Sequence, residues 1–218
     1  KGTWGIGTDG NVVDPITDEY QLCLKCHGDS QNLPADQDNL RTEMATSNPS
    51  YHPVFGVGAN PNVPAVALIN GMTVNSVIDC SDCHGSDSAG GPQGPHGSTN
   101  SPLLVENYTT ANFTQESATA YALCYDCHMR DAFINGDFDQ SHTNFPDHDK
   151  HVVDEDAPCS ICHAVHGEAT NNHLIFLDPN NPEISPSGSG LLEYNDLGNN
   201  TGECFVTCHG KDHDSKDY

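Results

Sequence analysis

Basic residues are scarce: Lys and Arg number 7 against 31 Asp and Glu, a formal net charge of -24 over 218 residues. So acidic a chain has no patch to neutralise phosphates, which excludes nucleic acid and anionic membrane surfaces as partners. Large apolar residues are scarce too. Leu, Ile, Val and Phe make up about 19% of the chain, too few to offset the entropy of ordering a backbone of this length around an ordinary core. No apolar run approaches the roughly 20 residues that cross a bilayer. The first residues, Lys1-Gly-Thr-Trp4, lack the apolar core of a secretory signal and read as a processed chain. Gly (20) and Pro (14) punctuate the sequence, so long helices and strands are not expected.

What is present is ten cysteines, every one in a pair, and every pair followed at once by histidine. The five motifs are Cys23-Leu-Lys-Cys26-His27, Cys80-Ser-Asp-Cys83-His84, Cys124-Tyr-Asp-Cys127-His128, Cys159-Ser-Ile-Cys162-His163 and Cys204-Phe-Val-Thr-Cys208-His209. Cys-x-x-Cys-His is the c-type haem attachment signal. Two thiols one helical turn apart reach the two vinyl groups of one porphyrin, and the adjacent imidazole lies under the ring to bind iron. Disulfides account for an even cysteine count but not for the histidines. Zinc ribbons group such pairs in twos, and a thioredoxin motif stands once in a βαβ context. The fifth motif has one extra residue, and its cysteines at i and i+4 read as one helical face. The expected cofactor is therefore haem c, five per chain, or four if Cys204 and Cys208 stay empty.

The proximal iron ligands are then His27, His84, His128, His163 and His209, which leaves eight further histidines. Of these, His52, His96, His148, His151, His166 and His173 are the candidate distal ligands. With two imidazoles per iron each haem is closed, suited to passing electrons. His52 precedes Pro53, which extends the backbone. His96 sits in the turn Gly94-Pro-His-Gly97. His148 and His151 stand three apart on one short helix, and His166 follows His163 by three. His142 and His213 rank last. The acidic run 147–156 reads as a solvated face.

The fold class expected is mostly irregular coil with short helices and little β, organised by haem as one domain over 1–218. Helices are expected to deliver motif one from Thr17 and motif three from Ser117. Strands are expected at 72–78 and 174–177, and loops at 85–102 and 178–190.

The segments Tyr121-Ala-Leu-Cys-Tyr-Asp-Cys-His128, His148-Asp-Lys-His-Val-Val153, Ala157-Pro-Cys-Ser-Ile-Cys-His-Ala-Val-His-Gly167 and Asn172-His-Leu-Ile175 resemble the multihaem c-type cytochromes of the OmcE type. So do Cys80-Ser-Asp-Cys-His-Gly85 with Gly94-Pro-His-Gly-Ser98, and Cys204-Phe-Val-Thr-Cys-His-Gly210. The resemblance runs from about residue 20 to 213. It implies an extracellular subunit that polymerises with itself into filaments, its haems in alternating stacked and T-shaped pairs, one of them able to take a histidine from the next subunit. That type has four haems, and five motifs depart from it. The expected role is electron transfer to redox partners or extracellular acceptors, not catalysis. A soluble periplasmic shuttle and a multihaem reductase are the alternatives.

Overall fold

The structure is a computed structural model and describes residues 3–31, 33–35, 37–88, 90–91, 94–95, 97–134 and 143–218. The candidates His96 and His142 lie outside the described residues. The chain divides into two compact units, one of residues 1–60, 75–105 and 165–173, the other of 61–74, 106–164 and 174–218.

The first unit begins with β1 (Gly5–Ile6) antiparallel to β2 (Val12–Val13). Helix α1 (Tyr20–His27) follows. Gln21 organises its start, accepting from the Thr17 N–H at 2.9 Å and donating to the Asp18 carboxylate at 2.8 Å. Gln21 and Leu24, three apart on one face, are buried. That face lies so close to β1 that a Cβ on Gly5 would stand 2.4 Å from the Gln21 carbonyl oxygen. Next come α2 (Leu40–Glu43), β3 (Ser50–Tyr51), α3 (Cys80–Cys83) and β4 (Gly167–Glu168). β3 pairs antiparallel with β4, Tyr51 opposite Gly167. Glu19, just before α1, accepts from Ser81 N–H at 2.9 Å and from its hydroxyl at 2.7 Å. This ties α3 to the start of α1 and sets motif two beside motif one.

The second unit holds α4 (Ala122–Tyr125), α5 (Arg130–Phe133), a π-helical turn Lys150–Asp154 and a 3-10 turn Cys159–Ile161. It ends in the strands β5 (Ile184–Ser185), β6 (Glu193–Gly198), β7 (Thr201–Cys208) and β8 (Lys211–Asp217). β6 and then β5 run along one edge of β7 and β8 along the other, all antiparallel. Two small clusters carry its apolar interior. Ala120, Tyr121, Ile134 and Val152 form one, with Cys124 and Cys159 packed on it. Ala157, Ile161, Ile184 and Val206 form the other, against which Cys162, Cys204 and Cys208 pack.

Several local expectations need correction. Residues 72–78 form no strand; the left-handed turn at Asn70 and Gly71 precedes them, and Ile78 alone donates to the Pro53 carbonyl, at 3.0 Å, without a ladder. Residues 174–177 form none either. His173 and Leu174 adopt positive φ in the 3-10 turn Asn172–Leu174, and only Ile175 makes a bridge, to His163. The expected loop 178–190 contains β5. Within the acidic run, Asp149 is 1% exposed and so does not belong to a solvated face.

Candidate haem sites

Four of the five motifs close one helical turn. Motif one lies inside α1. In the next three, the histidine N–H donates to the carbonyl of the first cysteine: His84 to Cys80 at 2.9 Å, His128 to Cys124 at 2.9 Å and His163 to Cys159 at 3.0 Å. Both thiols and the imidazole thus leave a single turn, as attachment to one porphyrin requires. Motif five departs from its expected helical face. Cys204 and Cys208 lie on β7, where four residues span about 13 Å instead of about 6 Å on a helix. The intervening Phe205, Val206 and Thr207 favour extended backbone, and pairing with β8 secures it. The His209 N–H accordingly donates to the Glu183 carbonyl at 3.1 Å, not back to Cys204.

The imidazoles are oriented through their Nδ1 atoms. His52 meets the Val165 carbonyl at 2.5 Å, His84 that of Pro102 at 3.2 Å, His148 that of Phe145 at 3.1 Å, His151 that of Asp147 at 2.8 Å and His209 that of Glu155 at 2.9 Å. A metal-binding histidine is held in this way, its other nitrogen left for the metal. Burial holds His52, His84 and His213 below the usual imidazole range. Burial, followed by the neighbouring His163, pushes His148 down to about 3. These rings are neutral and offer a lone pair.

Three pairs of rings face each other. His84 and His166 have centroids 6.2 Å apart at 31°, His148 and His163 6.4 Å at 22°, and His151 and His213 6.0 Å at 31°. Two imidazoles on opposite sides of one iron, at about 2.0 Å per bond with each ring centre about 1.1 Å behind its nitrogen, would have centres about 6.2 Å apart. The first two pairs each join a motif histidine to one outside the motifs. In the third, neither residue follows a cysteine pair. His209 adds an orphaned atom: its Nε2 is buried without a hydrogen-bond partner, while Phe113 stacks on the ring at 4.4 Å. Beside motif one, a groove of about 740 Å³ is lined by Cys26, His27, Leu33 and Pro34 among others, within the size range of cofactor pockets. These features fit a covalent haem.

All ten cysteines are free thiols. The first thiols of motifs one and two, Cys23 and Cys80, stand close enough to perturb each other's ionisation, as do Cys124 and Cys159 of motifs three and four. This proximity, then burial, raises Cys80 and Cys124. Burial pushes Cys162 up to about 12, and Cys204 and Cys208 up to about 11. Among the described residues, no group of three or more His, Cys, Asp or Glu gathers to hold a metal ion.

The structure thus brings His166 to His84 and His148 to His163. His173 lies by Asn60, the Asn60 amide 3.3 Å from its Nδ1, and His52 lies at the end of β3, where its N–H donates to the His166 carbonyl at 2.8 Å. Sequence reasoning ranked His213 last, yet β8 pairs it with Val206 and brings it to His151. It missed the aromatic packing: Phe133 stands edge-on to both His128 (5.7 Å) and His148 (5.1 Å). No local signal marks a phenylalanine for that role. No helix among the described residues is long and apolar enough to cross a membrane. No curated protein and no solved structure matches the chain significantly. Residues 73–133, which contain motifs two and three, match the family model of the doubled CXXCH motif, and the chain carries the covalent-haem signal of a multihaem c-type cytochrome.

Proposed function

We propose that the chain conducts electrons through closely packed bis-histidine haems, as the repeating subunit of an extracellular filament. The observation that carries this reading is the pairing of rings, His84 with His166 and His148 with His163, at the separation one shared iron requires. Bound haem supplies a one-electron couple at iron. The cysteine pairs that close a turn hold it: Cys23 with Cys26, Cys80 with Cys83, Cys124 with Cys127, and Cys159 with Cys162; Cys204 with Cys208, extended on β7, is a fifth pair only where that strand gives way to a turn. His27, His84, His128, His163 and His209 serve as proximal ligands, and His166 and His148 as distal ligands to the second and fourth.

The proximity of the first thiols within each unit, Cys23 to Cys80 and Cys124 to Cys159, supports short electron paths from motif one to motif two and from motif three to motif four. Five motifs in 218 residues, one per about 44, support a haem row along the whole chain. A closed iron passes electrons without taking substrate, so the chain is not an enzyme. The filament rests on the resemblance to OmcE-type cytochromes.

An intact mass with a reduced-minus-oxidised spectrum tests the cofactor: at least four haems, one for each motif that closes a turn, all low-spin, are expected. Negative-stain imaging of the native protein tests assembly. A particle that is monomeric under all conditions overturns the filament and leaves the soluble shuttle. Carbon monoxide uptake by a reduced haem at full occupancy overturns the closed-iron reading.

A further inference from the structure

We propose that Glu43 lowers the reduction potential of the haem held between His84 and His166. The proposal rests on the bis-histidine reading above. His52, His84, His148, His151 and His209 each present Nδ1 to a neutral backbone carbonyl. His166 presents its Nδ1 to a carboxylate, Glu43 Oε1, at 3.5 Å. The carboxylate is 21% exposed, and its second oxygen, Oε2, is buried without a hydrogen-bond partner. Little therefore competes with the imidazole for its charge.

The placement of Glu43 follows from its backbone. Its N–H donates to the Asn39 carbonyl at 3.0 Å, and its own carbonyl accepts from the Asn48 amide at 2.6 Å. Gly167, the residue after His166, lies directly on that carbonyl. The end of α2 and the start of β4 are thus held against each other, and Glu43 with His166 moves as one.

The chemistry resembles that of a carboxylate–histidine–metal triad, with the carboxylate acting by its charge. At 3.5 Å Glu43 is an ion-pair neighbour of Nδ1, and its negative charge polarises the ring and makes Nε2 a stronger donor. Ferric haem carries one more positive charge than ferrous. The stronger donor and the nearby negative charge both stabilise the ferric form and so lower the potential. A carbonyl at Nδ1 orients the ring without that charge. Glu43 is accordingly a positioning residue that acts through His166.

The test is a potentiometric titration of the haem-loaded full chain, followed by visible absorption and electron paramagnetic resonance. Glu43→Gln keeps the shape of the side chain and removes the charge. The expected result is a rise of one midpoint by at least about 59 mV, a tenfold change in a one-electron reduction constant. One low-spin signal should change its g-values while the others stay. A Glu43→Gln protein with full haem count by intact mass, wild-type midpoints and wild-type g-values overturns the proposal. Should that variant shed a haem, Glu43→Asp takes its place, which shortens the reach to Nδ1. An unchanged midpoint there overturns the proposal equally. His166→Ala separates the two readings. If it leaves every haem low-spin, the ligand assignment itself fails; if it yields one high-spin haem while Glu43→Gln changes nothing, only the role of Glu43 fails.

Discussion

Adding one methyl group at Gly167 tests how tightly the histidine pair is built. A Cβ there would lie 2.1 Å from the Glu43 carbonyl oxygen, 3.0 Å from its carbon and 3.3 Å from Tyr51 Cβ. Real Cβ contacts do not fall below 3.0 Å, so β4 and the end of α2 must part by at least about 0.9 Å. The two nearest atoms are backbone and cannot rotate away. Overpacking of this kind costs about 1–3 kcal/mol. The displaced strand carries His166, whose carbonyl accepts from His52 N–H at 2.8 Å and whose ring faces His84 at 6.2 Å. A metal–nitrogen bond of about 2.0 Å does not survive a shift approaching 1 Å. Gly167→Ala is therefore expected to lower the melting temperature by about 4–8 °C, taking about 2 kcal/mol for a chain of this length. It should also convert one haem to the high-spin spectrum. Gly90→Ala, with no atom within 4 Å of the added methyl, is the control and should stay within about 0.5 kcal/mol. A Gly167→Ala protein that melts with the wild type and remains wholly low-spin refutes the reasoning.

In the second unit, Arg130 donates to Glu116 through Nε at 2.9 Å and Nη2 at 2.5 Å, and Glu116 is only 6% exposed. Arg130→Ala strands that carboxylate and should cost about 2 kcal/mol in denaturant unfolding, a value kept low because Arg130 itself is 37% exposed. Combining it with Glu116→Gln should recover part of the loss. Burial raises Tyr108, Tyr121, Tyr125 and Tyr194 above the usual phenol range. Unfolded tyrosines ionise near pH 10 and the folded ones later, so their contribution is intact below about pH 10 and falls above it. A melting temperature that is flat from pH 9 to 11 would contradict this. Replacing both Cys204 and Cys208 by Ser should leave the haem count by intact mass unchanged, because β7 holds the two thiols about 13 Å apart; loss of one haem would show that the strand closes to a turn on attachment.

The attachment motifs were legible because five contiguous residues contain the whole chemistry: two sulfurs and an imidazole within one turn. Helices at motifs one and three were legible but their starts were not: α1 begins at Tyr20, not Thr17, and α4 at Ala122, where Ser117 closes only the turn before it, accepting from the Ala120 N–H. Residues 72–78 misled because alternating apolar residues make a strand only where another backbone lies alongside. The same rule worked in reverse at Cys204 and Cys208. Their spacing suits a helix, but Phe205, Val206 and Thr207 between them favour extended backbone, and β8 lies along β7 to pair with it.

The sequence by itself determined that this chain is acidic, poor in apolar core and marked for covalent haem at five places, because composition and contiguous motifs need no folding to be read. Which histidine faces which was decided by tertiary structure alone. His166 reaches His84 because β4 pairs with β3 and lies on the carbonyl of Glu43, and His213 reaches His151 because the β7–β8 register turns it inward. Those contacts join residues far apart in the chain, and their partners are chosen by backbone pairing and close packing, which leave no mark on the residues beside them.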